Sequence, residues 1–200
     1  AIAASGVEFI IGIPSNETYV FRSFFGKQNY EVLISSVMSD IKSKIDGPIV
    51  DAIQEYIRTQ ADASSKTAAK SRVVEEWLAL AAYRVAVSLS EGGNRVYIMY
   101  WDEKPVIENL GSGTVDAVAA ILGNSDALHM YGSVINEDQS EVLQTFLHKF
   151  INGEPMQLYT NEIKGIDALE WKAFPRDLTV TDGTILCDED VECTDKEDEI

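Results

Sequence analysis

The chain has 200 residues, 46% of them hydrophobic, and sets 33 acidic side chains against 16 basic ones for a net charge of -17. That apolar supply suffices for one globular core, and no run approaches the roughly 18 apolar residues that span a bilayer. The acidity excludes a nucleic-acid partner, whose phosphates call for clustered Lys and Arg.

In chain order, "GVEFIIGIP", "TYVFRSFF" and "YEVLISSVM" are rich in β-branched and aromatic residues, and "PSN" and "GKQN" separate them. Three strands joined by hairpin turns are expected. "GPIVDAIQEYIRTQADA" then stripes Ile49, Ile53 and Ile57 along one side, with Tyr56 beside them, and Pro48 suits a first helical turn. After the polar linker "DASSKTAAKS", residues 71–90 place Val73, Val74, Trp77, Leu78, Ala81, Val85 and Leu89 on a broad apolar stripe ending at "EGGN". This predicts a long helix with a glycine stop. It could be covered on two sides.

"RVYIMYW" is apolar almost throughout, as in a strand buried on both faces. "VIENL" and the turn "GSG" then lead to a helix from Thr114 to about Leu122, and "DQSEVLQTFLHKFI" gives a further helix with Val142, Leu143, Phe146, Leu147 and Phe150 on one side and Ser140 near its cap. A strand at "PMQLYT" and a short helix near "GIDALEW" follow. Blocks of strands and paired helices argue for an α+β layering rather than a singly alternating parallel sheet. A single domain over residues 1–180 and an acidic C-terminal tail over 181–200 are expected.

Chemistry-bearing residues are sparse. The only cysteines, Cys187 and Cys193, fall in "CDEDVECTDKEDEI", and the two histidines, His129 and His148, stand at no ligand spacing from them or from each other. A zinc site needs about four ligands, so no metal is expected; no cofactor is expected either, because the glycine turn lacks both the Walker lysine and the third glycine of a dinucleotide fingerprint. The opening "AIAASGVEFIIGIPS" has no basic leader, so a soluble, cytoplasmic protein is expected.

The stretches "VYIMYWDEKPVIENLGSGTVDAVAAIL" and "LQTFLHKFINGEPMQLYTNEIKGIDALE" carry a resemblance. A strand pair running through Gly-Ser-Gly into an alanine-rich helix resembles the proteasome β-subunits and their bacterial relative, the peptidase of the HslUV protease. The resemblance implies an N-terminal-nucleophile hydrolase fold, a four-layer αββα sandwich, and assembly into homo-oligomeric rings. It also implies a nucleophile at the first residue, which is Ala1 here, with Ser112 matching a residue the family uses beside it. Alanine offers no hydroxyl or thiol to attack a carbonyl. The family's lysine would fall near Tyr19 or Val20, with Lys27 the nearest lysine, and its acidic residue near Ser15 or Asn16. Its glycine-rich oxyanion turn reads "SSVMSD", with Val37 and Met38, and its supporting aspartate is matched by Lys149 or Phe150. The expectation is a non-catalytic, self-assembling structural or interaction protein on a proteasome-like scaffold, a pseudoenzyme open to a further protein partner. A threonine-type peptidase with its nucleophile replaced by Ala1 is the alternative. An unrelated α+β binding protein is a third reading.

Overall fold

The computed structural model describes residues 6–102, 114–124, 137–159, 162–163, 168–181 and 184–187. The elements run β1 (Glu8–Pro14), α1 (Glu17–Lys44), α2 (Gly47–Arg58), α3 (Ala63–Glu91), β2 (Arg95–Asp102), α4 (Thr114–Ile121), α5 (Glu137–Asn152), β3 (Gln157–Leu158), β4 (Leu169–Glu170), β5 (Asp177–Thr181) and β6 (Thr184–Cys187).

One four-stranded sheet has the order β1-β2-β5-β6. β1 pairs parallel with β2 from Glu8 opposite Arg95 to Pro14 opposite Trp101, β5 pairs parallel with β2, and β6 returns antiparallel to β5. β3 and β4 form a separate antiparallel ribbon. Because successive strand residues point to opposite faces, β2 feeds two cores. Val96 and Ile98 pack with Ile13 and Ala86 under α3, whereas Tyr97, Met99 and Trp101 pack with Ala117, Ala120, Val142, Leu143 and Phe146 of α4 and α5. The Trp171 indole N–H closes the second core by donating to the Ile98 carbonyl at 3.0 Å. The described residues therefore stack as helix, sheet, helix.

A third core lies away from the sheet, where Tyr30, Ile34, Met38 and Ile41 of α1 meet Val74 of α3, with Ile53 and Ile57 of α2 against them. The Tyr30 hydroxyl and Ser71 Oγ are hydrogen-bonded inside it. α3 is the spine common to both lobes: its 29 residues make a rod about 43 Å long at 1.5 Å per residue. The Asp62 carboxylate caps its start, accepting the Ser65 N–H at 2.7 Å, and Gly93 at φ 81° follows its end.

Several expectations need correction. The described residues form one four-stranded sheet and a two-stranded ribbon rather than the two stacked sheets of a four-layer αββα sandwich, and three strands of the larger sheet are parallel rather than segregated from the helices. Of the three N-terminal strands only the first forms; "TYVFRSFF" and "YEVLISSVM" lie in α1, interrupted at Gly26 with φ 75° and ψ 161°. The reason is the spacing of Tyr30, Ile34, Met38 and Ile41, which repeats at helical period and outweighs β propensity. "DASSKTAAKS" is no linker, since its alanines extend α3 back to Ala63. Near "GIDALEW", Leu169–Glu170 is a short strand rather than a helix. Residues Thr184–Cys187, placed in the acidic tail by composition, close the sheet edge as β6. The helices at α2, α3, α4 and α5 and the doubly covered strand β2 form as expected.

Candidate functional site

In open sheets with parallel strands, ligands settle outside the carboxyl ends, where the connections of neighbouring strands depart to opposite faces. β1 and β2 meet that condition. The chain leaves β1 for α1 to α3, with α3 on one face, and leaves β2 for α4 and α5, on the other. Between their ends opens a crevice of about 470 Å³.

Its floor is Pro14 at the end of β1, Ser15 and Asn16 in the turn after it, and Tyr100 and Asp102 from β2. The Ser15 N–H donates to the Trp101 carbonyl at 2.8 Å, which holds the outgoing loop of β1 against the end of β2. α3 supplies the wall, with Arg72, Glu75, Glu76, Ala79 and Tyr83. Glu75 continues the row of Ala79, Ala82 and Ala86 that faces the sheet, at spacings of four, seven and eleven residues. That row explains why a carboxylate is only 8% exposed here.

Glu75 is not left without a partner. Asn16, at the N-cap of α1, makes no side-chain cap bond; Glu75 instead accepts the Thr18 N–H at 2.6 Å and so caps α1 from another helix. Burial pushes its carboxyl above the usual range, against the lowering effect of the Thr18 hydrogen bonds. The Tyr100 phenol is raised too, by burial first and then by the negative charges of Asp102, Glu76 and Glu75, with Arg72 opposing. Tyr100 therefore remains a neutral donor at physiological pH. The Arg72 guanidinium is 3.9 Å from Glu76 with both side chains exposed, a separation at which little is gained.

The crevice thus has an acidic bias, two tyrosines among its walls, and a serine and an asparagine for hydrogen bonding. Among the described residues lining it there is no histidine, cysteine or lysine. No group of three or more His, Cys, Asp or Glu among the described residues is placed to hold a metal ion. No helix among them is long and apolar enough to cross a membrane.

The residues singled out from the sequence are not assembled here, with two exceptions. Ala1 and Ser112 lie outside the described residues, as do His129 and Cys193. Ser15 and Asn16, matched by position to an acidic residue, are in the crevice but carry no charge. Lys27 is exposed on α1, Met38 is buried in the helical core, and Lys149 pairs with Glu162 at 2.9 Å on the far side of the sheet. His148 is exposed on α5 beside Asn152. Sequence reasoning passed over Arg72, Glu75, Glu76, Tyr83, Tyr100 and Asp102. One signal was present: Glu75 interrupts an otherwise apolar helix face.

Comparison with family models and with curated proteins finds no match for this sequence.

Proposed function

We propose that this chain is a binding protein whose strand-end crevice takes a small, positively charged, amine-bearing ligand. The observation that carries the reading is the placing of Asp102, Glu76 and Glu75 around Tyr100 at the parting of the β1 and β2 connections. An ammonium group there meets carboxylate acceptors, and tyrosine rings offer it a negative π face. A volume of about 470 Å³ suits a ligand of metabolite size. Anions are disfavoured by the same charges, and the net charge of -17 adds to that bias.

Calorimetric titration with choline and putrescine, with succinate as the anionic control, tests this reading. Binding of putrescine, and of choline through its charge and the tyrosine faces, but not of succinate is expected. Binding of succinate alone, or of none of the three, contradicts it.

Self-assembly is a second reading, favoured by Leu78, Leu80 and Val85 on the outside of α3, all exposed. It keeps the interaction role expected from sequence without the stacked-sheet architecture. The peptidase alternative rests on Ala1 and Ser112, and nothing in the crevice adds support to it.

A further inference from the structure

α1 and α2 cover only the first half of α3. Beyond Trp77 α3 keeps two exposed apolar strips, Leu78 and Val85 on one side at 47% and 53%, and Leu80 and Val87 on the other, beside α2, at 42% and 38%. Side chains of this size are common singly on surfaces, but a row along one helix marks an interaction face. Val73, Leu80 and Val87 recur at intervals of seven, the spacing at which one helix lies along another. Beside the row, Ile49, Ile53 and Tyr56 of α2 face Trp77 and Leu80 across an open groove of about 560 Å³.

The charges bordering this row identify its occupant. Glu76 and Arg84 stand four residues before and four after Leu80, and both border the groove. Arg84 has no ion-pair partner among the described residues, and Glu76 has only the exposed Arg72 at 3.9 Å. A face with an acid and a base at equal distances on either side of its centre is complementary to itself when turned end for end. We infer that the partner is a second copy of this chain, with two α3 helices antiparallel across a two-fold axis at Leu80. Leu80 then meets Leu80 of the second copy, Val73 meets Val87, and Glu76 meets Arg84 twice. Such an isologous contact closes at two copies. The second copy's Leu80 and Val87 enter the groove beside α2, supplying the layer that the outer half of α3 lacks. The inference rests on the self-assembly reading; it shares Glu76 with the crevice, whereas Leu80 and Arg84 line the groove and not the crevice.

Sedimentation equilibrium of the full chain tests it, with circular dichroism to verify folding. The wild type is expected at twice the 22.1 kDa chain mass. Arg84→Glu alone and Glu76→Arg alone each set like charges opposite one another and should raise the dissociation constant by more than about tenfold. The double variant Glu76→Arg, Arg84→Glu should restore the dimer. Leu80→Asp, at an exposed position that leaves the cores intact, should give a folded monomer. A dimer indifferent to all four variants overturns the two-fold register and leaves self-assembly standing. A wild-type monomer at every concentration overturns both.

Discussion

The Glu75 carboxylate accepts the backbone N–H of Thr18 at 2.6 Å, so a residue 57 positions later in the chain caps the first turn of α1. This one bond joins the spine helix to the loop that floors the crevice. Burial raises the carboxyl, so the stabilisation it gives is fully present below the unfolded pKa of about 4.3 and is lost as pH rises through the folded value. Glu75→Gln keeps an acceptor for Thr18 and removes the charge. Urea unfolding should show the variant little different from wild type near pH 4 and progressively more stable than it as pH rises to 8.

Gly26 breaks α1 at φ 75° and ψ 161°, a region held almost solely by glycine. A Cβ there would meet nothing within 4 Å, so any cost of substitution is conformational. Gly26→Ala should lower stability by about 1 to 3 kcal/mol. Gly47→Ala, with equally open space and no positive φ, should be neutral or slightly stabilising in the same denaturant series.

Phe146 is fully buried, its ring edge-on to Trp171 at 5.5 Å between centroids. Phe146→Ala removes the ring from the larger core and should cost about 3 to 5 kcal/mol by denaturant unfolding. Leu78→Ala on the exposed side of α3 should cost far less in the isolated chain.

How much was legible follows from where each signal resided. β2 could be read because both its faces are apolar, and α2 because Ile49, Ile53 and Ile57 recur at helical spacing within one short segment. α1 was misread because its valines, isoleucines and aromatics favour strands one by one, and only the period of Tyr30, Ile34, Met38 and Ile41 opposes them. The sheet order was hidden, since β1 and β2 are partners 87 residues apart, brought together by a helical excursion. The crevice was hidden for the same reason: Glu75 and Tyr83 reach Ser15 and Asp102 only after α3 has packed across the sheet.

The Lys149 and Glu162 pair on the far side gives the opposite pH sign from Glu75. The Tyr159 N–H, followed by Lys149, holds the Glu162 carboxyl below its usual range. Its contribution is present above the unfolded pKa and lost as pH falls through the folded one. Glu162→Gln should therefore be less stable than wild type at pH 7, with the gap closing as the solution is acidified below pH 4. Thermal melts across that range read it directly.

Asp102→Asn should weaken putrescine binding by about tenfold or more, since a primary ammonium donates to the carboxylate and a hydrogen bond to a charged partner contributes about 1.5 to 3 kcal/mol. The most direct measurement is a putrescine titration followed by the backbone amide resonances of the uniformly labelled chain. The account predicts that Ser15, Asn16, Tyr100 and Asp102 move together along one saturating curve while the α5 amides stay still. Saturating shifts confined to other elements, or no shift at all, would contradict it.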